Sequence, residues 1–288
     1  MKIICTAFFV FLSTLASSQT QPNPEMIRQV IAGEIKSLKI APGKIHKIDN
    51  KTIRNIGIRI YYPSSHKQLP IIYNIHGGAL IGGDLETHDN ISRKLSNATN
   101  SIVIALDYRK APENPFPRSL DDVYTIYNWI ITDFRNLNGA KAPFSIVSDS
   151  GGCLLASALQ IQIKRKDRKS DIGKVVYINP AFDLRNPGDD MYALVTQWYL
   201  AGANPNDELA SPILAKDFSA FSQALIVVNE KDILLSHGTE FSKKLNLAGI
   251  RNKLITVQGE DHFGGYWAAG HQKIKLSFDE TVKFLNTR

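Results

Sequence analysis

The chain has 288 residues, of which 43% are hydrophobic and 21% charged, with a formal net charge of +7 and two cysteines. That length is enough to bury a large core, and no repeat, low-complexity tract or Pro/Gly-rich linker divides it, which excludes a repeat array and favours one domain with a modest insertion. Cys153 is the only cysteine beyond the extreme N-terminus, which excludes an internal disulfide in a processed chain.

In chain order, residues 1–18 have the form of a secretion signal. Lys2 supplies the charge, residues 3–12 the apolar stretch, and Ala16-Ser17-Ser18 a small-residue cleavage site before Gln19. The expected product is a single domain over residues 19–288, secreted or periplasmic. The apolar run is too short to span a bilayer and no later stretch is suitable, so no stable membrane association is expected. Cys5 lies inside the signal without the spacing of a lipoprotein site. Residues 22–44 follow as an amphipathic helical segment.

Strand-length apolar runs occur at 53–62, 69–75, 102–106, 144–147, 175–178, 224–228 and 253–257. Between them, Leu120, Val123, Tyr124, Tyr127, Ile130, Ile131 and Phe134 recur at helical steps, and further helices are expected near 153–166, 236–248 and 273–285. Strand–helix alternation with unpatterned apolar strands predicts an α/β fold, a mostly parallel sheet covered by helices on both faces. Ligands then sit at the carboxyl ends of the strands. Residues 184–214, rich in Asn, Pro and aromatics, break the alternation. Together with 22–44 they are surface decoration or a lid over that rim, and the lid is preferred. The basic cluster from Lys164 to Lys169 is read as a solvated helix terminus facing the negative end of its dipole. No aromatics interleave it, so no nucleic acid is expected as a partner.

The chemistry-bearing residues each follow a strand. Ser148-Asp149-Ser150-Gly151-Gly152 joins an apolar strand to a helix, and small residues two places either side of a Ser allow the sharp corner that exposes a nucleophilic hydroxyl. Cys153, next in line, is read as a small packing residue. Cleavage by a Ser needs a base, an acid to hold that base, and donors for an oxyanion. His262, after the last strand, is the candidate base. Asp232, a short turn after residues 224–228, is the candidate acid, ranked ahead of Asp183 and Asp261 and compatible with a second role as a helix cap. His76-Gly77-Gly78-Ala79 follows the strand at 69–75. Its Gly77 and Gly78, with Gly151 after the Ser, are the expected oxyanion donors. Tyr192, Trp198 and Tyr199 are expected to line the acyl or alcohol side of the pocket, with core packing as the alternative.

On these motifs the chain resembles the hormone-sensitive-lipase-like branch of the α/β-hydrolases, the carboxylesterases with a His-Gly-Gly-Gly motif. His76-Gly77-Gly78-Ala79 is similar to that motif with Ala in its last place. Residues 107–117, from Asp107-Tyr108-Arg109 to Phe116-Pro117, continued by Leu120-Asp121-Asp122, resemble its second block, and Ser148–Cys153 its Gly-Asp-Ser-Ala-Gly-Gly corner. Asp232-Ile233-Leu234 and His262-Phe263 resemble the regions of its acid and base. The resemblance implies the α/β-hydrolase fold with a small helical cap built from about 22–44 and 184–214. It also implies hydrolysis of short acyl esters with no cofactor and no metal, by Ser150, His262 and Asp232. Ser148 and Ala79 depart from the pattern and bear on turnover and substrate range.

The expected function is therefore that of an exported carboxylesterase acting through an acyl-enzyme. Its partner would be a small-molecule ester: an acetylated sugar, another small ester or a lactone. A homodimer remains compatible with the sequence. The rival readings are an amidase or peptidase with the same triad, a hydrolase scaffold that only binds, and a polyanion-binding protein using the basic cluster.

Overall fold

The apolar runs assemble into an eight-stranded sheet of β1 (Lys47–Ile53), β2 (Ile56–Tyr62), β3 (Ile71–Ile75), β4 (Ile102–Asp107), β5 (Phe144–Asp149), β6 (Ile172–Ile178), β7 (Gln223–Asn229) and β8 (Asn252–Val257), in the order β1-β2-β4-β3-β5-β6-β7-β8. The β1/β2 and β2/β4 pairings are antiparallel and all the others parallel. The structure, a computed structural model, describes residues 23–66, 68–138, 144–186, 190–262 and 267–287. The expected secretion signal at 1–18 and Phe263 lie outside the described residues.

Seven helices of ten or more residues accompany the sheet among the described residues: α1 (Pro24–Ser37), α2 (Asp89–Thr99), α3 (Arg118–Trp129), α4 (Gly151–Arg165), α5 (Asp190–Leu200), α6 (Leu235–Leu247) and α7 (Lys275–Asn286). A π-helical turn at Ile130–Phe134 extends α3 along the expected apolar stripe. Local chemistry starts α1 where it does. Asn23 accepts the Met26 N–H at 2.9 Å, Pro24 occupies the first turn, and Glu25 and Lys36 complement the two ends of the dipole.

Two elements differ from the sequence expectation. The run at 53–62 is interrupted by a hairpin turn at Arg54 and Asn55, with φ of 49° and 67°. Its first strand, β1, is polar and mostly exposed on the sheet edge, so it carries no apolar signal. Helix α2 was not expected, because Ile91 and Leu95 are its only large apolar residues on the inner face; Ser92, Ser96 and Thr99 are buried there too. Their hydroxyls are satisfied by the carbonyls of His88, Ser101 and Leu95.

Alternate residues of the parallel strands feed two cores. Ile71, Tyr73, Ile146, Val175, Tyr177, Ile226 and Val228 pack with side chains of α3, α4 and α6 on one face. Ile72, Val103, Val147, Val176, Leu225 and Val227 pack with Ile91 and Leu95 of α2 and with residues of α7 on the other. Covering both faces explains why the strands read as continuous apolar runs. Cys153 is fully buried in the first of these cores.

The connections reverse direction at β3: β4 lies on one side of it and β5 on the other. Such a reversal opens a crevice beyond the carboxyl ends of the strands. The loop after β3 and the corner after β5 flank that crevice, and the loops after β7 and β8 reach it from one side.

The basic cluster at the end of α4 is largely engaged within the chain. Lys164 lies 3.6 Å from Asp217, Arg165 2.7 Å from Glu208, and Lys166 4.0 Å over the Tyr124 ring. Arg168 donates to Asn128 and to the Tyr124 hydroxyl. Among the described residues no helix is long and apolar enough to cross a membrane.

Candidate active site

Strand β5 ends at Asp149 and α4 begins at Gly151, leaving Ser150 alone at the corner with φ 48° and ψ −122°. Such a conformation is costly for a residue with a side chain and persists only where the surroundings enforce it. Here the Ser150 N–H donates to Ile178 O at 2.9 Å, and its carbonyl accepts from Cys153 and Ala181. The corner brings α4 hard against β3: a Cβ on Gly152 would lie 2.3 Å from Ile75 O. Ser148, the departure noted above, is fully buried, its hydroxyl donating to Val176 O at 3.2 Å.

The corner directs the Ser150 hydroxyl at His262. Ser150 Oγ lies 2.9 Å from His262 Nε2, and His262 Nδ1 lies 2.8 Å from Asp232 Oδ2. The Asp232 side chain is 1% exposed and that of His262 12%. The other carboxylate oxygen of Asp232 accepts the Leu234 N–H at 2.8 Å just before α6, so the helix-entry role and the histidine contact coexist. Asp183 is instead paired with Arg185, and Asp261 offers its carbonyl to Asn229. Burial pushes the His262 imidazolium down, but the charge and hydrogen bond of Asp232, helped by Asp149 and Asp261, outweigh it and raise the pKa above its ordinary 6.5.

Sequence reasoning did not reach the groups that hold the base. Asn229 at the end of β7 donates to Asp261 O at 2.6 Å, Asn179 after β6 donates to His262 O at 3.4 Å, and Lys231 N–H donates to Glu260 O at 2.8 Å. Each asparagine stands one place beyond an apolar strand residue, Val228 or Ile178, the signal that could have found it.

The loop after β3 corrects one expectation. Gly77 is not a free donor: its N–H is given to Asp149 Oδ1 at 3.0 Å, and a Cβ there would lie 2.4 Å from Oδ2. Its glycine serves close approach to Asp149. Among the described residues, the N–H groups of Gly78, Ala79 and Gly151 have no intramolecular acceptor. Ala79 and Leu80 sit beside Gly151, where a Cβ would be 3.5 Å from Ala79 Cα and 3.2 Å from Leu80 N. The unpaired N–H groups of this loop and corner thus include those of Gly78, Ala79 and Gly151. Ala79, with φ 55°, carries a strain of ~1 kcal/mol that the family's Gly would avoid.

The three aromatics separate. The rings of Tyr192 and His262 meet nearly at right angles, with centroids 6.2 Å apart. Trp198 is half-buried against the core. Tyr199 is a correction: it is 1% exposed, packs against Phe116 in the core, and has no surface to offer a ligand. On α5, positions 192 and 199 are two turns apart, close enough to one face that composition alone did not divide them.

The family described as alpha/beta hydrolase fold matches residues 72–264. The arylesterase of Saccharolobus solfataricus is 30% identical over 220 residues, covering 71% of each chain. The carboxylesterase NlhH of Mycobacterium tuberculosis is 26% identical over 256 residues, covering 78% of each. The hyperthermophilic esterase of Pyrobaculum calidifontis superposes with a TM-score of 0.84 at 26% identity, covering 91% of this chain and 93% of that one.

The chain belongs to the hormone-sensitive-lipase-like carboxylesterases of the α/β-hydrolase fold. In this carboxylesterase the family match begins in β3 and runs through the loop that carries His262, so it spans every residue of the relay. Helix α1 lies before it.

Proposed function

We propose that this carboxylesterase hydrolyses short-chain acyl esters through a covalent acyl-enzyme on Ser150. His262 takes the Ser150 proton as the oxygen attacks the ester carbonyl. The oxyanion that forms is received by the N–H groups of Gly78, Ala79 and Gly151, aided by the positive end of α4. Collapse expels the alcohol, which takes the proton from His262. Water then attacks the acyl carbon with His262 as base again, and the carboxylic acid leaves with Ser150 regenerated. Asp232 holds the Nδ1–H tautomer and stabilises the imidazolium formed in each step.

The observation that carries this reading is the unbroken relay from Ser150 through His262 to Asp232, at 2.9 and 2.8 Å. The test is hydrolysis of p-nitrophenyl acetate and butyrate by Ser150→Ala. Loss of turnover with an unchanged melting curve, and loss of labelling by a fluorophosphonate, are expected. Undiminished turnover would overturn the assignment.

Export belongs to the same proposal. Residues 1–18 carry the charge, apolar stretch and small-residue site of a cleaved signal, and the intact mass of the protein recovered outside the cytoplasm should correspond to a chain beginning at Gln19.

A further inference from the structure

The loop after β3 is held in a shape it would not keep alone. Gly78, Ala79 and Leu80 have φ of 115°, 55° and 65° in succession, and two of them carry side chains. Every L-residue disfavours that region, so the free loop relaxes to negative φ and turns its N–H groups elsewhere. The loop closes on itself through Ile81 and Gly82, whose N–H groups donate to Gly78 O at 3.1 and 2.8 Å. Those bonds shape the turn and do not anchor it to the rest of the fold.

The Gly77 N–H ties the start of the loop to Asp149, and from Leu80 onward two contacts anchor it. The Ala111 N–H donates to Leu80 O at 3.1 Å. Arg28, on α1, donates through Nε to Ile81 O at 2.7 Å and through Nη2 to Ala111 O at 2.9 Å. One guanidinium therefore grips the loop and the segment that grips the loop. Its plane is fixed by Glu113, which accepts from Nη1 at 3.0 Å and from Nη2 at 2.5 Å, the paired geometry that an Arg fork supplies and a Lys does not. Ile31, one turn further along α1, packs at the same loop: a Cβ on Gly82 would lie 3.0 Å from its Cδ1. The Glu113 side chain is 56% exposed, so the ion pair adds little stability and its effect falls on geometry.

We propose that Arg28 is a positioning residue for ester hydrolysis, a clasp by which helix α1 holds the oxyanion loop in its left-handed form. It acts through the Ile81 and Ala111 carbonyls on the N–H groups of Gly78 and Ala79, and does not touch the substrate. The inference rests on the reading that those N–H groups receive the oxyanion. Without the clasp only a fraction of molecules hold the competent loop. Turnover falls with that fraction, whereas ground-state binding, which depends little on a carbonyl not yet charged, is preserved.

The test uses the full chain with Arg28→Met, Arg28→Lys and Glu113→Gln, assayed with p-nitrophenyl butyrate and with a trifluoromethyl ketone whose hemiketal oxyanion occupies the same donors. Arg28→Met should lower kcat about 10–100-fold with KM within about two-fold. Arg28→Lys and Glu113→Gln should fall between it and the parent. Affinity for the trifluoromethyl ketone should drop by the same factor as kcat/KM, and the acid limb of the pH profile should stay in place because His262 is untouched. A merely structural role would lower the melting temperature without that proportionality. Parental kcat in Arg28→Met, a loss confined to KM, or unchanged ketone affinity overturns the clasp. If Arg28→Met fails to fold, parental kcat in both other variants overturns it. Ser150→Ala run in parallel separates the two readings: turnover surviving there defeats the site assignment, whereas its loss alongside parental Arg28→Met kinetics defeats the clasp alone.

Discussion

The Asp149 carboxylate accepts the N–H of Gly77 at 3.0 Å, across 72 positions of the chain. This bond joins the nucleophile corner to the loop after β3, and the missing side chain of Gly77 is what lets the two approach. His88 completes the junction, its Nε2 lying 3.2 Å from the same oxygen while Thr87 Oγ1 meets its Nδ1 at 3.0 Å. One carboxylate therefore ties the start of the loop to the nucleophile corner, while Arg28 and Ala111 hold its far end.

Removing that carboxylate separates its two effects. Asp149→Ala leaves the buried Gly77 N–H without an acceptor, at a cost of about 1–3 kcal/mol, and should lower both the melting temperature and kcat/KM. Asp149→Asn keeps an acceptor but removes a charge that helps raise the His262 pKa. Its acid limb should move to lower pH while most stability is retained. An unmoved limb in Asp149→Asn would show that the charge does not reach the imidazole.

The pH dependence follows from His262. The base acts only when neutral, and its pKa is raised above 6.5 by Asp232 despite burial. Accordingly kcat/KM should be full on the alkaline side and fall as pH drops through a value above 6.5. Asp232→Asn removes the charge and the preference for the correct tautomer. It should lower kcat by about 10⁴-fold and shift the remaining acid limb downward, as read from a pH–rate profile.

The relay was legible in the sequence because Ser150, Asp232 and His262 each follow an apolar strand, in the order this fold uses. Strand ends can be read from local hydrophobicity, and the parallel sheet then converges them. Gly77 was read as a free donor because where the Asp149 carboxylate reaches is a tertiary contact with no local signature. Arg28 was invisible for the same reason: the loop atoms it grips, Ile81 O and Ala111 O, are backbone atoms that any residue would supply. Tyr199 was misplaced because an aromatic on a short helix is equally at home in the core or at a pocket.

Ser148 stands where related corners carry Gly, and its hydroxyl donates to Val176 O. Ser148→Ala removes that bond and nothing that touches the relay. It should cost about 0.5–1.5 kcal/mol of stability and leave kcat within about two-fold, checked by thermal melts beside steady-state kinetics. A large drop in kcat would mean that the hydroxyl steers the corner.

The two glycines after Ser150 should respond oppositely to the same methyl group. At Gly152 a Cβ meets Ile75 O at 2.3 Å and His76 O at 2.5 Å. Both are backbone atoms at the end of central strand β3, which cannot retreat without breaking its pairing with β4 and β5. Gly152→Ala should therefore destabilise by about 3 kcal/mol or more. At Gly151 the nearest atoms are Leu80 Cγ and N at 3.2 Å, and Leu80 lies on a loop that can give by a few tenths of an ångström. Gly151→Ala also removes a flexible residue from the first turn of α4, which favours the fold by about 0.5–1 kcal/mol. Its melting temperature should match or exceed the parent's. The methyl then presses on the loop that carries Ala79, so its effect should appear as a several-fold fall in kcat. Equal melting temperatures for the two variants would show that the α4–β3 contact is looser than 2.3 Å implies.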